Sequence, residues 1–226
     1  MHKQDKQYFY QEGVNIINYL RQYYPSLHLN RLLILKGNKK AIGTFKASER
    51  NIYMWEHYFD KLFDKGLPLK QVARQFIMTL CHELGHASDE FLKHPTFKEK
   101  NMYPPSYTVG HAQIEAFAVF RGSTMLQRLI GYPGTLFGFV WTKEELEQMG
   151  RDSVSSGRKI AYQVEYRLRK LRKKAMYPFK QFFLRLKRSY TAHSKDYLQD
   201  FNDALKLYDS ARSIKHLDAM RRTVNP

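Results

Sequence analysis

Cysteine is almost absent from this sequence: Cys81 is the one thiol in 226 residues. A lone cysteine allows no disulfide within the chain, so stability must come from a packed core, and a reducing, cytoplasmic setting is expected. Long apolar runs are missing as well. The longest stretch without an ionisable Asp, Glu, Lys, Arg or His, Leu129 to Thr142, has fourteen residues, among them three glycines and a proline. A spanning helix needs roughly 20 apolar residues, so no transmembrane segment is expected. The stretch reads as a packed loop or hairpin, with a membrane-touching loop as the other reading. The opening residues, MHKQDKQYFY, lack the apolar core of a secretory signal. No internal repeat or low-complexity tract is present.

Acidic residues are also scarce, with 21 Asp and Glu against 38 Lys and Arg for a formal charge of +17. That surplus favours acidic partners: nucleic acid, anionic lipid or an acidic protein surface. It is unevenly spread. Residues 1–150 carry nineteen basic and fourteen acidic side chains, residues 151–226 nineteen and seven. The tail thus presents a different surface, and the expected organisation is a domain over 1–150 followed by a basic, helix-rich extension over 151–226.

What the chain has in quantity is material for a core: 43% hydrophobic residues, including sixteen Tyr and fifteen Phe. Apolar residues at Val14, Ile17, Leu20 and Tyr24 have helical spacing, and Pro25 closes that segment. Three short segments rich in strand formers follow, Arg31 to Lys36, Ala41 to Phe45 and Asn51 to Trp55. They predict a small, largely antiparallel three-stranded sheet. Beyond Pro68, Val72, Phe76, Leu80 and Leu84 recur with a helical period up to about Glu90. A proline-containing loop from His94 to Pro105 leads to another predicted helix, Thr108 to about Ile130. In the tail, Ile160, Val164, Leu168 and Leu171 form one apolar stripe and Tyr197, Phe201, Leu205 and Tyr208 another. The fold class expected is α+β.

The second of these predicted helices carries His82-Glu83-Leu84-Gly85-His86, a match to H-E-x-x-H. Histidines four apart project from one helical face on successive turns, so both imidazoles can reach one ion at about 2.0–2.1 Å. One Zn2+ per chain is the expected cofactor. Zinc with an open position acidifies its water to a pKa of roughly 7, and a carboxylate beside the first ligand can take the proton. Glu83 is placed for that role.

A third protein ligand is needed. The extended pattern with a third histidine fails, because Asp89 and Leu92 stand at its Gly and His positions. Glu115, on the following helix, shares a face with His111, Ala118 and Gly122, whose small members would permit close helix approach. Asp89 is the rival, since positions 82, 86 and 89 also share a face, although three ligands on one straight helix lie nearly in line and suit a tetrahedral site poorly. His111 could stabilise an oxyanion or be a structural, hydrogen-bonded histidine. Tyr103 and Tyr107 flank the loop before that helix and could offer a phenol, or simply pack. Cys81 is expected to be buried as a small apolar residue.

The order of helix, strands, H-E-L-G-H helix and Glu-bearing helix resembles a minimal gluzincin, and among these it is most similar to ImmA/IrrE-type peptidases. Gly43-Thr44-Phe45 and Ile52-Tyr53-Met54, the motif itself, and Glu115-Ala116-Phe117-Ala118 carry the resemblance, over roughly residues 1–130. It implies a zincin-like metallopeptidase that cleaves a specific intracellular protein. It also implies an antiparallel edge strand, near Ile52 to Trp55, that aligns the substrate by strand addition. The chain departs from the pattern in lacking an Asn after Glu115-Ala116, in carrying Val119 where thermolysin-like enzymes place an Asp, and in its tail.

Between Arg158 and Arg188 stand twelve Lys or Arg and one acid, Glu165, interspersed with Tyr and Phe. Such a surface suits phosphates or an anionic membrane, or is a solvated face of a basic protein. The second functional reading is therefore a nucleic-acid-binding protein whose H-E-x-x-H is a structural or vestigial zinc site.

Overall fold

The computed structural model describes residues 3–25, 27, 29–37, 41–89, 109–175 and 196–210. Their class is α+β. The elements in chain order are α1 (Lys3–Arg21), β1 (Arg31–Leu35), β2 (Gly43–Lys46), β3 (Asn51–Trp55), α2 (Glu56–Asp64), α3 (Leu69–Ala87), α4 (Val109–Arg128), α5 (Lys143–Ala175) and α6 (Tyr197–Ser210). No helix among the described residues is long and apolar enough to cross a membrane.

Two compact units divide the chain, one comprising 1–101 and 118–154, the other 102–117 and 155–226. Helices α4 and α5 are unbroken in sequence through these divisions.

In the first unit the sheet has the order β1-β3-β2, with β1 parallel and β2 antiparallel to β3. It is a mixed sheet rather than a largely antiparallel one. Moreover β3, the segment assigned above to a substrate-aligning edge, is the central strand, which leaves β1 and β2 at the edges. The reason lies in connectivity: residues 47–50 turn β2 directly back into β3, with Arg50 in a left-handed conformation (φ 53°). The longer link after β1 delivers that strand to the far side of the hairpin. All three strands alternate, burying Leu32, Ile34, Phe45, Ile52 and Met54 on one face.

Helices α1 and α3 pack against this sheet, α1 on β1 and α3 chiefly on β2. Between them lies an aromatic cluster. Phe9, Phe59, Phe76 and Phe137 are all at most 1% exposed, and Phe9 approaches the ring centres of Phe76 and Phe137 to 5.2 and 4.8 Å. Such offset and edge contacts each add about 0.5–1.5 kcal/mol beyond area burial. Phe137 comes from the uncharged 129–142 stretch, which folds as a packed loop: Leu136 and Phe139 bridge across a turn, and Phe137 itself has φ 56°. Its buried ring offsets the strain of that left-handed backbone. Glu56, 3% exposed at the start of α2, is paired with Lys6 at 2.6 Å.

In the second unit α6 buries the expected stripe, Tyr197, Phe201, Leu205 and Tyr208. Of the stripe expected on α5, the structure exposes Ile160 and leaves Val164 half-buried. Ile160 is 62% exposed, and the buried line runs through Gly157, Ala161 and Glu165. Glu165 is drawn inward by its partners: it accepts a hydrogen bond from Tyr197 N at 2.8 Å, satisfying a first-turn amide of α6, and one from Arg169 Nε at 2.7 Å. Leu168 and Leu171 lie outside the residues whose side chains are described.

Candidate metal centre

Helix α3 begins after Pro68, whose missing N–H is no loss at a helix start. Its core face is continuous: Val72, Phe76, Leu80 and Leu84 are fully buried. Both motif histidines fall in the last two turns. His86 is 4% exposed, His82 is half-buried, and their ring centres lie 4.8 Å apart at 85° to one another. The helix stops one residue after His86, at Ala87. Ser88 N bonds back to Leu84 O at 2.9 Å, Ser88 Oγ donates to Gly85 O at 2.9 Å, and Asp89 N donates to His86 O at 3.1 Å.

Helix α4 crosses α3 at side-chain-free contacts within the first unit. A Cβ placed on Gly85 would lie 2.5 Å from Ala118 O, and one on Gly122 would lie 2.9 Å from Cys81 O. Only glycine at 85 and 122 lets the two backbones meet at this distance. Three residues before Ala118 on the same helix is Glu115. The described residues that could together hold a metal ion are His82, His86 and Glu115; the two histidines belong to the first unit and Glu115 to the second. Two imidazoles and one carboxylate form a donor set that leaves a fourth position for water. The residues present therefore fit the ion.

Glu83 is 6% exposed and faces the opposite wall, the start of β2. A Cβ on Gly43 would meet Glu83 Cγ at 3.0 Å and Oε1 at 3.1 Å, so a glycine there makes room for the carboxylate. Asp89 is fully buried just beyond α3 and is not a member of the His82, His86 and Glu115 group. Tyr103 and Tyr107 lie outside the described residues. Cys81 is buried, and burial pushes its thiol pKa up.

In the second unit His111, one turn before Glu115, has Nε2 3.7 Å from Glu115 Oε1 and Nδ1 2.7 Å from the Tyr197 hydroxyl. Burial holds its imidazole pKa below the ordinary value, while the Glu115 carboxylate pulls it upward. The apolar stripe of the tail predicts Tyr197 as core, and it is core, 2% exposed. Its phenol adds a polar role that an apolar stripe conceals, because tyrosine satisfies the pattern with its ring and keeps its hydroxyl for a partner. Gly43 was legible only as part of a resemblance.

No family model, curated protein or solved structure matches the chain.

Proposed function

We propose that the chain is a zinc metallopeptidase of the zincin type, similar to ImmA/IrrE-type peptidases, that hydrolyses peptide bonds of an intracellular protein. His82, His86 and Glu115 hold the ion and Glu83 is the general base. The observation that carries this reading is the pairing of His82 and His86 on one face of α3, their ring centres 4.8 Å apart, beside the buried Glu83. Zinc, when bound there, supplies a Lewis acid and a water acidified to near neutrality.

The rest is the work of the chain's own groups. Glu83 accepts the proton of the attacking water at a carboxylate oxygen and afterwards donates it to the leaving amine. Its burial against Gly43 limits the orientations it can adopt, so the proton acceptor is held in place before substrate arrives. His111 is positioned by Tyr197 next to Glu115 and restrains that carboxylate.

Substrate alignment belongs to β2 on this reading. Trp55 N donates to Ile42 O at 3.0 Å, which fixes the alternation of the β2–β3 ladder: Thr44 and Lys46 face β3 with their amides and carbonyls, while Gly43 and Phe45 direct theirs outward. Among the described residues no strand pairs with that outer side. An extended peptide added there would pass beside Glu83.

The test is Glu83→Gln. Helix packing and zinc content should persist, while hydrolysis falls by about 10²–10⁴-fold, the usual contribution of a general base. Candidate intracellular proteins co-expressed with either form supply the substrate. Fragments that appear equally with both forms would refute the assignment. The second reading, a nucleic-acid-binding protein with a structural or vestigial zinc site, draws on the exposed basic residues of α5. It predicts that Glu83→Gln changes nothing measurable.

A further inference from the structure

Arg158, Lys159, Tyr162, Tyr166, Arg169 and Lys170 of α5 are all exposed. At 100° per residue they occupy one arc of about 120°. The buried line of Gly157, Ala161 and Glu165 lies outside it. Tyr162 and Tyr166 are 60% and 59% exposed, on successive turns about 6 Å apart along the helix axis. Large rings left this open, side by side, mark an interaction surface more than a folding requirement. The one acid of the segment, Glu165, is 3% exposed and engaged with Tyr197 N and Arg169, and Arg169 also lies 3.7 Å from Asp196, so within the arc these acids offset Arg169 and leave the charges of Arg158, Lys159 and Lys170.

We propose that this arc of α5 binds single-stranded nucleic acid, with Tyr162 and Tyr166 each stacking on a base and the flanking cations taking the phosphates. The site goes beyond the peptidase reading and does not depend on it. Charge complementarity requires an anionic occupant, and the placement of the rings selects which one. A helix that lies in a membrane interface keeps its apolar face apart from its basic face. Here the rings are interleaved with cations in a single arc, and beside that arc runs a line of small residues and a glutamate already buried in the protein, so the helix offers no separate exposed apolar face there. Interleaved aromatic and basic side chains are what a flexible polyanion with exposed π-faces requires.

The experiment is fluorescence anisotropy of a labelled 20-nucleotide oligo(U) titrated with the full chain over 50–200 mM salt, with a duplex of equal length and phosphatidylserine-containing vesicles as comparison arms. Wild type should prefer the single strand. Tyr162→Ala with Tyr166→Ala should weaken binding at least tenfold at fixed salt while leaving the salt dependence unchanged, since stacking is worth several-fold to about a hundredfold per base. Arg158→Gln, Lys159→Gln and Lys170→Gln together should reduce the slope of log K against log salt by about 2, roughly 0.7 per lost phosphate contact. All five positions are exposed, and circular dichroism verifies that the variants fold. The proposal is overturned by undiminished binding in the tyrosine variant, by equal affinity for the duplex, by ring-dependent binding to vesicles without binding to oligo(U), or by no binding at 50 mM salt.

Discussion

Replacing Gly85 by alanine tests whether backbone contact sets the ligand distance. The new Cβ would sit 2.5 Å from Ala118 O and 2.9 Å from Ala118 Cα. Both obstacles are backbone, so no rotamer change relieves them, and ordinary contact at about 3.4 Å requires the helices to part by nearly 1 Å. Alanine gains about 1 kcal/mol of helix propensity over glycine, against an overpacking cost of about 1–3 kcal/mol. The net loss of stability is therefore modest, at most about 2 kcal/mol. The effect on metal should be larger in proportion. Glu115 is three residues from Ala118 on the same helix, and coordination distances tolerate only about 0.2 Å, so the carboxylate should leave bonding range and zinc affinity should fall at least tenfold. Competition with a chromophoric chelator measures the affinity, and urea denaturation measures the stability. Gly13→Ala is the control: its Cβ is equally close to a neighbour, but that neighbour is the flexible Leu32 Cδ2, and zinc affinity should not move. Wild-type zinc affinity in Gly85→Ala would refute the reasoning.

Three other outcomes follow from the same geometry. Glu115→Ala should weaken zinc binding far more than Asp89→Ala, and metal analysis of the purified variants with the opposite ranking would assign the third ligand to Asp89. Gly43→Ala should crowd Glu83, lowering kcat by tenfold or more with zinc content unchanged; a variant of normal kcat would show that the carboxylate has room elsewhere. Cys81, buried and with its thiol pKa raised by burial, should resist iodoacetamide at pH 8 in the native chain and react once urea unfolds it, as mass spectrometry would record.

The α3 helix was legible because its period is uninterrupted: every predicted core position from Val72 to Leu84 is buried, and the motif occupies the exit of that run. The crossing with α4 was legible from Ala118 and Gly122, whose size permits what other residues forbid. Sheet order was not. Parallel and antiparallel neighbours bury the same alternate side chains, so Ile52 and Met54 look identical at an edge or in the centre. Helix α2 was not legible because it begins directly at the end of β3 with no capping side chain at Trp55 and buries little beyond Glu56 and Phe59. On α5 the apolar residues misled. Ile160 suggests a buried face, but Gly157 and Ala161 are the residues that admit close neighbours, and Glu165 follows them inside because it has donors to satisfy there.

The outward amides and carbonyls of Gly43 and Phe45 have a colloidal consequence. Among the described residues no strand pairs with them, and an unpaired strand edge is a template for any extended chain, a second copy of this one included. Here the edge is only four residues long, ends in exposed Lys46 and belongs to a chain of formal charge +17. Brevity and like-charge repulsion hold copies apart. Salt removes the second of these protections, so concentrated protein should become more prone to edge-to-edge aggregation as ionic strength rises, while its attraction to polyanions fades.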